Sequence, residues 1–222
     1  MKRVTLFCGH YGSGKTNLAV NYALRLAREG KPVVIGDLDI VNPYYRTKDS
    51  TRELTEAGIE VISLPYANTN VDLPSLPSAA YSLVQNRSRY AILDIGGDDR
   101  GAYALGRFRS YILEEDDFES LFVLNFCRPL TPDAESALEI MREVEQAAGL
   151  PFTGLVNNTN LGAETRAADV LASVAYAEGV AKAMGVGVKF TCATEPVAAE
   201  LAGRVPDLFP IRIQRLYYQL EG

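Results

Sequence analysis

The sequence predicts an α/β fold of three layers, a mostly parallel sheet with helices on both faces. Three observations carry that expectation. Short β-branched or aliphatic runs alternate with longer amphipathic segments along the 222 residues. The first run passes through a glycine-rich loop directly into a helix-length segment. No internal repeat, low-complexity tract or linker divides the chain, so residues 1–222 read as one domain.

Strands are predicted at 3–8 (RVTLFC), 32–37 (PVVIGD), 59–64 (IEVISL), 90–95 (YAILDI), 120–126 (SLFVLNF), 152–157 (FTGLVN) and 186–192 (VGVKFTC). Helices are predicted at 15–30, closed by Gly30, and at 131–149, opened by Thr131 as N-cap with Pro132 at the first helical position. A third spans 164–185. Parallel strands need helix-length crossovers, so the alternation implies βαβ units covered on both faces. The acidic run EEDDFES (114–120) reads as a solvated loop before a buried strand, and LPYANTNVDLPSLPS (64–78) as an irregular surface excursion. The C-terminal IRIQRLYYQLEG (211–222) places Ile213, Leu216, Tyr217 and Leu220 on one helical face opposite Arg212 and Arg215. With two basic residues and no linker before it, docking on the body is expected rather than membrane contact.

Lys and Arg number 22 against 28 Asp and Glu, a formal charge of −6, and no basic cluster stands out. A general nucleic-acid binder is therefore not expected. Cys8, Cys127 and Cys192 lie far apart beside a single histidine, which fits neither a disulfide framework nor a zinc site and suits a reducing compartment. The N-terminus lacks a cleavable apolar segment, and no run of about 18 apolar residues occurs, so a soluble, cytoplasmic protein is expected.

Gly9-His10-Tyr11-Gly12-Ser13-Gly14-Lys15-Thr16 matches G-x-x-x-x-G-K-[ST] between a predicted strand and a predicted helix. Glycines let backbone N–H groups curl around an anion, and the helix N-terminus adds partial positive charge. Lys15 would reach the β- and γ-phosphates, and Thr16 would ligate Mg²⁺. The nucleotide-contacting set runs from Gly9 to Thr16 and on to Asn17. A carboxylate at a buried strand end should assist the metal, and YAILDIGGDDRG supplies Asp94, with Gly97 in a D-x-x-G arrangement whose N–H can sense a γ-phosphate. Asp37 and Asp39 follow the second strand, at the carboxyl edge where open α/β sheets bind ligands. They either cap a helix or orient the attacking water, Asp39 also as a metal ligand. Asp98 and Asp99 read as caps of the next helix.

This order of motifs resembles the MinD/ParA/CobQ-type P-loop ATPases, relatives of the nitrogenase iron protein. In that family the loop reads G-K-G-G-x-G-K-[ST], and its extra lysine reaches across an ATP-sandwiched dimer. Aligned on Lys15, the signature position is His10, followed by Tyr11. His10 thus contacts phosphate weakly, acts as a pH-dependent substitute, or only fills the loop. The resemblance also implies that the strand FTGLVNNTN ends in an asparagine contacting adenine. Asn157 or Asn158 stands at that place, Asn158 the better by spacing from Gly154, although Asn-Asn also favours a plain turn. Pro196, after the last long strand, stands where relatives close over the base. A guanine site would need [NT]-K-x-D, and the nearest text, RTKDS (46–50), lacks the spacing, so ATP is favoured over GTP.

The implied function is a Mg²⁺-dependent ATP-binding switch and slow ATPase, with Lys15, Asp39 and Asp37 as its catalytic set and ATP and Mg²⁺ as cofactors. Its nucleotide state would act on a partner protein or a homodimer. The Tyr- and Arg-rich segments NPYYRTKD (42–49) and GGDDRGAYALGRFR (96–109) occupy the two switch positions. The rivals are a small-molecule ligase or kinase resembling dethiobiotin synthetase or the CobB type, and a metal-centre maturation ATPase.

Overall fold

In the computed structural model, which describes residues 1–38, 51–63, 78–96 and 105–214, strands and helices alternate strictly among the described residues. They are β1 (Val4–Cys8), α1 (Lys15–Arg28), β2 (Val33–Leu38), α2 (Thr51–Glu56), β3 (Glu60–Ser63), α3 (Ser78–Gln85), β4 (Tyr90–Ile95) and α4 (Arg109–Glu115), then β5 (Phe118–Leu124), α5 (Ala134–Ala148), β6 (Gly154–Asn157), α6 (Ala167–Met184), β7 (Gly187–Thr194), α7 (Glu195–Leu201) and β8 (Leu208–Ile211). The eight strands form one sheet in the order β3-β2-β4-β1-β5-β6-β7-β8. Every neighbouring pair is parallel, so the expected mostly parallel sheet is parallel throughout.

The order explains the two helical layers. Connections β1→β2 and β2→β3 step one way along the sheet, and all later ones step the other way. Right-handed crossovers must then send α1 and α2 to one face and the rest to the opposite one. The core divides accordingly. Phe7, Leu18, Ile35, Leu54, Ile92 and Val123 pack on the α1 side. Leu6, Leu83, Leu93, Phe108, Ile112, Phe122, Met141 and Val180 pack on the other. Alternate residues of β1, β2, β4 and β5 feed each side, as strand geometry requires. On the α1 side Tyr22, Phe190 and Phe209 stack, with ring centroids 4.8–6.1 Å apart.

Four expectations need correction. The N-cap of α5 is Asp133, whose side chain accepts the Ser136 N–H at 2.8 Å, rather than Thr131, whose hydroxyl donates instead to the Asn125 carbonyl. β8 went unpredicted, because a four-residue run containing Pro210 reads poorly as a strand; it is tolerated at the sheet edge. Since β8 ends at Ile211, a helix cannot begin there, and residues 215–222 lie outside the described residues.

The acidic run is not a solvated loop either. Glu114 and Glu115 end α4 and Phe118 opens β5. Glu115 is buried against Arg3 and also pairs with Arg87 at 3.0 Å. Glu119 accepts from the Thr5 hydroxyl at 3.1 Å and the Tyr22 hydroxyl at 3.2 Å, and pairs with Lys189 at 2.7 Å. Burial, reinforced by Glu119, pushes the Tyr22 phenol well above its ordinary range.

Candidate functional site

The connections leaving β1 and its neighbours β4 and β5 pass to opposite faces, which opens a crevice at the carboxyl edge between them. The glycine-rich loop fills that crevice. It leaves β1 at Gly9, where an added Cβ would lie 2.5 Å from the Val123 carbonyl oxygen of β5, and enters α1 through Gly14, at φ +88° and pressed against the Asn158 amide. No side chain but hydrogen fits either place. The Ser13 N–H donates to the His10 carbonyl at 3.1 Å, and the first turn of α1 carries no acidic residue, so its N-terminal dipole is not neutralised from within.

Lys15 opens α1 with its side chain largely buried, and its Nζ donates to the His10 carbonyl at 3.0 Å, across the loop it belongs to. Thr16 donates its hydroxyl to Asp94 Oδ2 at 2.6 Å; Asp94 is fully buried at the carboxyl end of β4. Asp37, 4% exposed near the end of β2, is the register partner of Asp94, so the two carboxylates lie side by side on the α1 face. Three oxygen-bearing side chains thus gather beside the lysine, the hard donor set that suits Mg²⁺ shared with phosphate. Among the described residues no cluster of three His, Cys, Asp or Glu side chains is placed to hold a metal by itself.

His10 is half-buried, with Nδ1 3.1 Å from the Tyr11 carbonyl, and Tyr11 is exposed. Asn17 accepts the Gln214 N–H at 2.9 Å and so fastens α1 to the chain beyond β8. Asn157 is turned towards α6, donating to the Ser173 hydroxyl at 2.9 Å. Asn158 is turned towards the loop, donating to the Ser13 carbonyl at 2.7 Å. Pro196 is the second residue of α7 and is exposed. Asp39, Gly97, Asp98, Asp99 and the segment 42–49 lie outside the described residues.

Sequence reasoning missed the scaffold around Asn158. Buried Asn125, just past β5, accepts the Asn160 N–H at 3.3 Å through its side chain and donates to the Asn160 carbonyl at 3.3 Å. Asn160 in turn donates to the Asn158 carbonyl at 2.7 Å, and Thr159 accepts the Phe126 N–H at 3.1 Å. The available signal was an asparagine closing each of two adjacent apolar runs, VLN and LVNN.

Burial holds all three thiols above their ordinary range. Burial, opposed by Lys15 and assisted by Asp94, pushes the Cys8 thiol up to about 12. Burial raises Cys192 further and Cys127 as well. Two of the three are therefore sealed from any partner surface.

No family model matches the chain, and no curated protein matches it. Solved structures do. FtsY from Thermotoga maritima, a cell division protein, superposes with a TM-score of 0.60 at 18% identity, over 87% of this chain and 62% of that one. The signal recognition particle receptor FtsY from Elizabethkingia anophelis, in complex with GDP, gives 0.57 at 20% identity over 89% and 58%. Signal recognition particle 54 kDa protein from Aeropyrum pernix K1, also with GDP, gives 0.52 at 16% over 85% and 40%. The chain spans less than two thirds of the length of each of these three neighbours. At these identities the likeness is one of fold, and it does not single out the MinD/ParA branch. The chain has the α/β fold of the P-loop NTPases.

Proposed function

We propose that this chain is a Mg²⁺-dependent ATP-binding protein and slow ATPase whose nucleotide state controls a partner protein or its own dimer. The observation that carries the reading is the Lys15 ammonium lying across the glycine loop on the His10 carbonyl, beside the bonded pair Thr16–Asp94. An entering phosphate offers the Lys15 ammonium charge-assisted bonds stronger than the one to that carbonyl. Lys15 and the loop N–H groups then neutralise the β- and γ-oxygens, and Asp39 with Asp37 orients the attacking water. Thr16 and Asp94, joined by Asp39, would hold Mg²⁺, which when bound supplies positive charge to the same oxygens. Gly97 senses the γ-phosphate. With His10 in place of the signature lysine, intrinsic turnover is slow.

Adenine is favoured because the third residue after Asn158 is Leu161, where an [NT]-K-x-D stretch would carry its base-reading aspartate. Asn158, already seated on the loop, is the better placed of the two asparagines for the base. GDP in two of the structural neighbours supports guanine as the second choice, and titration with both nucleotides separates them. The ligase or kinase alternative gains from His10. The maturation alternative loses from the burial of Cys8 and Cys192.

Solution molar mass by light scattering tests the switch. A monomer in Mg-ADP that becomes a dimer in a non-hydrolysable Mg-ATP analogue is expected of the self-dimer form. No change of mass, together with nucleotide-independent retention of every protein partner, would refute the switch and favour the ligase reading. Asp39→Ala is expected to retain binding and lose hydrolysis.

A further inference from the structure

The turn from β5 to α5 brings a cationic side chain against the phosphate loop. Arg128 lies there on an over-determined backbone. Its N–H donates to the Asn125 carbonyl and its carbonyl accepts the Thr131 N–H, both at 3.1 Å. Asn125 Oδ1 accepts the Cys127 N–H at 3.0 Å, and the Tyr176 hydroxyl donates to the Thr131 carbonyl at 3.1 Å. Through Asn125 and Asn160 the same turn is tied to Asn158, and through Asn158 to Ser13 of the phosphate loop.

From that turn the half-buried side chain of Arg128 runs against the loop. Its Cδ and Nε would lie 3.7 and 3.8 Å from a Cβ on Gly12. The Nε is buried and has no hydrogen-bond partner, and no carboxylate among the described residues forms an ion pair with Arg128. A guanidinium nitrogen withdrawn from water without an acceptor leaves its donor unsatisfied, at a cost. Buried Arg3, by contrast, is answered by Glu115 and three carbonyls. Within the loop Gly9–Thr16, Lys15 is the one lysine or arginine.

We propose that Arg128 is a second phosphate-binding cation of this site, reaching over Gly12 from the same chain to the phosphates of a bound nucleoside di- or triphosphate. The inference rests on the nucleotide-binding reading above. A fixed guanidinium bonds phosphate oxygens with directed, charge-assisted hydrogen bonds and adds to the charge supplied by Lys15.

The test compares Arg128→Met and Arg128→Lys, which both keep an aliphatic stem against Gly12 while only the second keeps a charge. Affinity for MgATP and MgGTP is read by titration calorimetry at several salt concentrations, with the melting temperature of the nucleotide-free proteins alongside. Arg128→Met is expected to bind at least about tenfold more weakly and with a shallower salt dependence, Arg128→Lys to recover most of the loss, and melting to stay unchanged. Wild-type affinity in Arg128→Met, or equal losses in both variants, would overturn the assignment. Failure of the wild type to bind either nucleotide would instead overturn the nucleotide reading, and this inference with it.

Discussion

The two edges of the sheet bury the same kinds of side chain and put them to different uses. At the amino edge Arg3 is held by Glu115 and by the carbonyls of Val84, Asn86 and Arg89, while Glu119 takes up the hydroxyls of Thr5 and Tyr22 and the Lys189 ammonium. These groups answer one another, and their work is done when the chain folds. At the carboxyl edge Lys15, Thr16, Asp37 and Asp94 are comparably buried, but they converge on a helix N-terminus and a loop of backbone N–H groups. There the lysine bonds the loop's own carbonyl. Buried charge alone does not mark a site; the direction in which the donors converge does.

The contrast is sharpest in variants that separate stability from nucleotide handling. Arg3→Ala strips three carbonyls of their donor and leaves Glu115 with Arg87 alone, so denaturant titration should show a loss of ~3–5 kcal/mol. A loss below about 1 kcal/mol, the range of an ordinary substitution, would show that the Arg3 cluster does not hold the amino edge together. At the other edge Asp94→Asn keeps the shape of the side chain and should lower the hydrolysis rate by roughly 100-fold, about 2.7 kcal/mol, with the melting temperature little changed. Hydrolysis at the wild-type rate would remove Asp94 from the metal site.

Smaller effects test the joints between the two edges. Asn158→Ala releases the Ser13 carbonyl and should weaken nucleotide binding about tenfold, read by calorimetry, since a loosened loop must be ordered again at each binding event. Asp133→Ala removes the cap of α5 and should lower the melting temperature slightly without touching nucleotide affinity. The Ser136 N–H and hydroxyl hold the Asp133 carboxyl below its ordinary value of 3.8. Its capping contribution is therefore complete above that value and lost as pH falls through the lowered one, so variant and wild type should converge in stability in acid. A difference that persists or widens on acidification would contradict the cap.

What was legible in the sequence was whatever is written locally. The loop Gly9–Thr16, the aspartate closing an apolar run at Asp94 and the strands β1 to β7 each sit in a few consecutive residues. What was not legible depends on partners far along the chain. Glu115 and Glu119 look like surface acids until the fold brings Arg3, Thr5 and Tyr22 to them, more than 90 residues away. Asn125 and Asn160 look like turn residues until β5 and β6 become neighbours. In TPDAE three consecutive residues suit a helix start, and the choice of Asp133 over Thr131 was made by the Asn125 turn, which claimed the threonine hydroxyl.

Titration calorimetry of the wild type and Lys15→Ala with MgATP shows whether nucleotide binds at the carboxyl edge. One-to-one binding by the wild type and a loss of at least about 100-fold in the variant are expected, with circular dichroism checking that the variant keeps its fold. Equal affinity in the two proteins would place any bound nucleotide elsewhere and contradict the carboxyl edge as the site.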